Sequence, residues 1–183
     1  RRLCVVGARR ASAEALESLR SLIAGVAASA RASGHAWEIL SGAALGIDAA
    51  AHRAALDSGM RTSAVLANGI DIAYPACNAS LIEEIAAGGG LLTELLPGAP
   101  PRRSFFPTRN RLLAALADAV LVVQAGEASG SLITAKWAAR LGRPLFVVDP
   151  PAETPDWSGN RALLAAGAIP LDAYNVVSDV FVV

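Results

Sequence analysis

Lysine is almost missing from this chain: Lys136 stands alone beside fifteen arginines. Cysteine is as scarce, with only Cys4 and Cys77. No CxxC or Cys/His spacing occurs, and Cys4 falls inside an apolar run, which argues against a disulfide framework or a structural zinc site and for a reduced compartment. Aromatic residues make up 5% and charged residues 17%, whereas hydrophobic residues reach 54%. So apolar a chain is not a disordered linker. A membrane span is missing as well. The longest apolar run, residues 112–123, contains Asp118 and falls short of the roughly 20 residues that a bilayer requires. No GK[ST] occurs, so there is no P-loop. The dinucleotide fingerprint G-x-G-x-x-G is also missing, because Arg9 stands where its second glycine would let the backbone approach a pyrophosphate. P-loop ATP hydrolysis and nicotinamide-dependent hydride transfer therefore find no support. Neither an initiator methionine nor a signal-peptide hydrophobic segment opens the chain, which reads as a piece of a longer cytoplasmic protein.

Sixteen basic and sixteen acidic residues give a net charge of +0. That balance withholds support from a globally basic surface but leaves room for a local patch. Alanine accounts for 40 of the 183 residues, which favours helices and small-residue packing. The length suits one α/β domain spanning residues 1–183.

The pattern predicts strands over residues 3–7, 37–40, 62–67, 91–95, 119–124 and 144–148, with a terminal strand over 176–183. Helices are predicted over 12–32, 49–56, 81–87, 109–117, 131–141 and 160–166, and the Pro-rich stretch 97–107 reads as a loop beside a site. Strands alternating with helices build βαβ units, and continuous apolar strands are buried on both faces. The expected fold is a Rossmann-like, open, mostly parallel α/β sheet with helices on both faces.

In such sheets ligands gather outside the carboxyl ends of the strands. Four Gly- or Ser-rich turns fall there: G-A-R-R-A-S, S-G-A-A-L-G-I-D, N-G-I-D-I-A-Y-P and G-E-A-S-G-S-L-I-T-A-K. Each leads towards a helix N-terminus, where free amides and the helix dipole favour an anion. The candidate cations are Arg9, Arg10, Arg102, Arg103, Arg109, Arg111 and Lys136. Arg109-Asn110-Arg111 is expected to open a helix, where positive charge opposes the dipole unless an anion binds. Lys136 lies one turn inside its helix and reaches back to the mouth, or else stays on the surface. For Arg102 and Arg103 a solvated loop is an equal alternative.

Catalytic constellations are thin. His52 follows Asp48 by four residues, an arrangement that more often stabilises a helix than catalyses. Ser129, Ser131 and Thr134 have no base nearby in sequence and read as caps or phosphate ligands. Trp37 and Trp137 read as core, leaving Trp157 as the candidate for stacking on a base. No metal or cofactor is expected.

The blocks V-G-A-R-R-A-S, S-G-A-A-L-G-I-D-A-A-A-H, N-G-I-D-I-A-Y-P-A-C-N, F-P-T-R-N-R-L-L and S-G-S-L-I-T-A-K-W-A-A-R-L-G-R, in that order, resemble the DNA-processing protein A (DprA/Smf) family. The resemblance runs from residue 3 to about 168. It implies an extended Rossmann fold that binds single-stranded DNA without cleaving it, dimerises, and helps load a recombinase of the RecA type during uptake of transforming DNA. It also implies flanking helical and winged-helix domains outside this chain. Carried over by position, it points to Gly7, Arg9, Ser41, Gly42, Gly46, Asp48, Arg109, Asn110, Arg111, Ser129, Gly130, Ser131 and Lys136 as lining or shaping the DNA pocket. The chain departs from the pattern at Ala8, Leu45 and Ala79, where the resemblance implies Ser or Thr, Arg, and a basic residue. Each departure removes a phosphate donor.

The rival class is an enzyme of the nucleoside-monophosphate phosphoribohydrolase type, whose signature is P-G-G-x-G-T-x-x-E. The corresponding turn, G-E-A-S-G-S-L-I-T-A, lacks that glutamate spacing. A small-nucleotide sensor using the same pocket is the third alternative.

Overall fold

Alternating apolar and polar spacing in the first helix shows how the layers form. A computed structural model describes residues 1–151 and 153–171. In it, strand β1 (Arg2–Val6) leads to helix α1 (Ala13–Ser33). Ser12 caps α1 by accepting a hydrogen bond from the Ala15 amide at 3.2 Å, and Gly34 ends it in the left-handed region at φ 71°. Leu19, Leu22, Ile23 and Val26 recur every three or four residues, so one stripe of α1 is buried on the sheet.

The chain then forms β2 (Glu38–Ser41), α2 (Ile47–Asp57), β3 (Arg61–Val65), α3 (Ala79–Gly88), β4 (Gly90–Leu92), α4 (Phe105–Leu116), β5 (Ala119–Val122), α5 (Ser131–Arg140), β6 (Leu145–Val148), α6 (Ser158–Ala165) and β7 (Ile169–Leu171). The seven described strands pair in the order β4-β3-β2-β1-β5-β6-β7, all in parallel. Leu3 and Val5 point to the face covered by α1 and α2, while Cys4 and Val6 point to the face covered by α4 and α5. Helix α3 packs on the α2 side through Leu81, Ile82 and Ile85, and Leu163 and Leu164 of α6 pack on the α4 and α5 side. The sheet is therefore an α/β sandwich of the expected Rossmann-like kind.

Besides shifts of one or two residues at other element ends, three features differ from expectation. Helix α4 starts at Phe105, so Arg109 lies a full turn inside it instead of at its start. Pro107 permits this because the first turn of a helix needs no donor from it. Strand β7 pairs Ile169 with Phe146 and was not predicted. Strand β4 ends at Leu92, where the Thr93 hydroxyl turns to the Asn68 carbonyl and accepts from the Leu95 amide. The predicted strand over 176–183 lies outside the described residues.

Candidate nucleic-acid interface

From β1 the chain builds outward to β4, and from β5 it builds the opposite way to β7. The crevice of a doubly wound sheet opens between the two strands where the order reverses. A cavity of about 530 Å³ lies there. The β1–α1 turn supplies Gly7, Ala8, Arg9 and Arg10, α2 supplies Asp48, α4 supplies Phe106, Arg109 and Asn110, the β5–α5 turn supplies Ser129 and Gly130, and α5 supplies its first residue, Ser131.

The β1–α1 turn is held tightly against the start of α2. The Ile47 amide donates to the Ala8 carbonyl at 3.1 Å. Gly46 takes φ 72°, and a Cβ there would collide with that same carbonyl oxygen. On the opposite wall, α5 presents its N-terminus to the cavity, with the Ser129 and Ser131 hydroxyls 2.7 Å apart. The Ser131, Leu132 and Ile133 amides of its first turn are taken by the Ser129 hydroxyl and the Ser129 and Gly130 carbonyls, so this wall offers an anion the positive end of the helix dipole and the two hydroxyls.

Arg109 is 6% exposed and is the hub of the frame. Its Nη1 donates to the Gly42 carbonyl at 2.9 Å and to the Val65 carbonyl, and its Nε donates to Asn110 Oδ1 at 3.1 Å. Gly42 has to be glycine, because a Cβ would occupy the place of the guanidinium. Asn110 Nδ2 donates in turn to the Gly130 carbonyl at 3.1 Å. Through two adjacent residues, α4 thus ties together the ends of β2 and β3 and the turn before α5.

The buried charge has a buried counterpart. Burial raises the Asp48 carboxyl above its ordinary range, while Arg109, the backbone amides of Ala44 and Gly42, and Arg9 pull it down. One turn on, His52 is fully buried and held neutral, its value pushed to about 3 by burial and by Arg109. The Thr62 hydroxyl donates to the Ile39 carbonyl at 2.9 Å, so it accepts from His52 Nδ1 at 2.7 Å. Burial also raises the Cys4 thiol, and Asp48 adds to that. Among the described residues no group of three His, Cys, Asp or Glu is placed to hold a metal.

The DNA recombination-mediator protein A family matches residues 1–181. The chain belongs to that family. The putative DNA processing protein DprA of Mycobacterium tuberculosis is 47% identical over 168 residues, which is 92% of this chain and 42% of that protein. DprA of Streptococcus pneumoniae is 39% identical over 147 residues, 80% of this chain and 50% of that one. The chain thus spans about half the length of these relatives. The X-ray structure of the S. pneumoniae protein aligns with a TM-score of 0.86 at 36% identity, covering 93% of this chain and 58% of that one. The Helicobacter pylori DprA structure, described for a single-stranded DNA binding mode, aligns with a TM-score of 0.82 at 31% identity, covering 95% and 75%. A molybdenum cofactor binding protein from Rippkaea orientalis, at a TM-score of 0.64 and 15% identity, shares the fold alone.

The fold brings Gly7, Arg9, Asp48, Arg109, Asn110, Ser129, Gly130 and Ser131 of this family member to one cavity. The other expected site residues stand outside its lining. Ser41 is buried and donates to the Val5 carbonyl at 2.6 Å, joining β2 to β1. Gly42 and Gly46 shape the frame as described. Arg111 is ion-paired to Glu94. Lys136 is exposed on the second turn of α5. Arg109 also differs from expectation: its guanidinium is spent on carbonyls, because a helix that begins at Phe105 turns that side chain inward. Trp157 is 3% exposed in the core and is no stacking surface.

Sequence reasoning passed over Phe106. The Arg9 guanidinium lies 5.1 Å from its ring centroid, and the Tyr74 ring lies 6.1 Å away. Its signal was present, since Phe106 is the aromatic that opens the F-P-T-R-N-R-L-L block in a Pro- and Arg-rich stretch.

Proposed function

We propose that this domain binds single-stranded DNA in the cavity between β1 and β5 without cleaving it. In this reading it protects incoming DNA and helps load a RecA-type recombinase in the cytoplasm, acting as a homodimer during natural transformation. The observation that carries the reading is the pairing of walls. Arg9 and Arg10 are exposed at the mouth and form no ion pair among the described residues, and they face the N-terminus of α5 across the cavity. A phosphate between them is met by cations on one side and by the helix dipole with the Ser129 and Ser131 hydroxyls on the other. Phe106 adds an aromatic surface on which a base can stack. The non-enzymatic part of the reading has its own support. The cavity hydroxyls of Ser129 and Ser131 bond each other, and His52 is fully buried outside the cavity lining with its Nδ1 on Thr62.

Fluorescence anisotropy with a labelled single strand tests this. Binding should weaken as salt rises, show little sequence preference, and exceed binding to duplex, whose bases are stacked away from Phe106. Arg9→Ala should lower the salt slope by about 0.7. Arg111→Ala, which releases Glu94 as well, should act less, and Arg20→Ala on α1 should change nothing. Equal effects of all three, or equal affinity for duplex, would reject the cavity. Release of base from AMP would favour the hydrolase alternative instead.

A further inference from the structure

A net charge of +0 conceals a sharp division of charge across the sheet. Besides Asp48, which is buried at the cavity, helices α1, α2 and α3 carry five acidic residues against three arginines. Helices α4, α5 and α6 carry five basic residues and no acidic one. On the acidic side, Arg20 and Arg53 are taken up by Glu17 and Glu84. On the basic side, Arg109 is buried, Arg111 is paired with Glu94 and Arg161 of α6 donates to the Thr154 carbonyl, which leaves the exposed charges of α5.

Those charges are aligned with the cavity. Ile133 lines it, and Lys136 and Arg140 follow at three and seven residues, which places them on one helix face. Because α5 starts at the cavity, the stripe leads away from it, over about 10 Å at about 1.5 Å per residue. Lys136 and Arg140 form no ion pair among the described residues, and the Arg140 guanidinium rests 5.2 Å from the centroid of the Trp137 ring. Trp137 is half-buried against the core, so it holds that cation in place at the surface.

We infer that α5 is a second contact surface for DNA: the single strand leaving the cavity runs along the Lys136–Arg140 stripe, with its phosphates on those two cations. This rests on the reading of the cavity as a single-strand site, and it adds a path and a length dependence. A short strand fills the cavity alone, whereas a longer one gains the stripe. The acidic face of α1 to α3 repels the strand and leaves α5 as its exit.

The test is anisotropy with oligothymidylates of about four and about sixteen nucleotides, on the chain carrying Lys136→Glu with Arg140→Glu. The control carries Arg20→Glu with Arg31→Glu on α1, the same change in net charge on the opposite face. The α5 reversal should weaken the longer strand by about ten-fold or more at moderate salt and lower its salt slope by about 1.4, as expected for two lost phosphate contacts. The short strand and the control should stay within about two-fold, with thermal melting unchanged in both variants. Equal losses in the control, equal losses for both strand lengths, or an unaffected longer strand each overturn the stripe. In the last two cases Arg9→Ala still judges the cavity. If the parent chain binds neither oligonucleotide, the cavity reading fails and the stripe fails with it.

Discussion

Arg109 and His52 show what a single side chain gains from its neighbours. On the sequence, an arginine beside Asn110 and Arg111 is an invitation to an anion. In the fold it donates to the Gly42 and Val65 carbonyls, with Asp48 as the nearby opposing charge. A buried cation needs such partners, since its desolvation is otherwise too costly. His52 carries a consequence for acid stability. It is neutral in the native state, with its value near 3, but takes a proton in the unfolded chain below about 6.5. The unfolded state thus binds the extra proton, and stability falls as pH drops from about 6.5 towards about 3. Asp48 works in the opposite sense, because its raised carboxyl holds a proton in the native state at pH values above 3.8 where the unfolded chain has lost it. Urea unfolding of the parent and of His52→Asn separates the two. Between about pH 7 and pH 5.5 the parent should lose about 1 kcal/mol more than the variant. Equal losses would show that His52 is not held neutral.

At the scale of elements, strands and helices are legible because their apolar periods differ, and their ends are less so because ends are set by local hydrogen bonds. Continuous runs such as Val120–Leu121–Val122 announce a strand buried on both faces. The start of α4 does not announce itself, since Pro107 looks like a breaker until it is seen to sit in a first turn. Helix α6 has a role that no period reveals. Asn160 is fully buried; its Nδ2 donates to the Val123 and Val148 carbonyls at 2.9 Å each, and its Oδ1 accepts from the Ala125 amide at 2.7 Å. It clamps the carboxyl ends of β5 and β6 beside the cavity. Asn160→Ala leaves three buried backbone groups unpaired and should cost about 3 kcal/mol. Urea titration reads that loss, and faster hydrogen exchange at the Ala125 amide would locate it. An unchanged midpoint would dismiss the clamp.

For the whole molecule, the sheet ends among the described residues at β4 on one side and β7 on the other, and Ile169 of β7 is 43% exposed. An unpaired strand edge is seldom left open. The apolar residues Val176, Val177 and Val180 to Val183 lie outside the described residues, and they motivate the same expectation from sequence. The domain should therefore sediment as a homodimer at concentrations of about tens of micromolar. A monomer throughout that range would remove self-association from the proposed function.

By itself the sequence determined the class of this protein: βαβ alternation, both faces of the sheet covered, small-residue turns at the strand ends, and the ordered blocks that resemble one family. These are local properties, written in hydrophobic period and in glycine position. Only the tertiary structure decided which arginines are free. Arg9, Arg109 and Arg111 look equivalent as letters, yet one lies open at the cavity mouth over Phe106, one is buried on backbone carbonyls, and one is paired with Glu94. Their partners lie up to 67 residues away along the chain, and only the packing of α4 against the strand ends brings them together. The division of charge between the two faces has the same origin. A net charge is a sum over the chain, whereas a strand of DNA meets only the side of the sheet on which each helix is laid down.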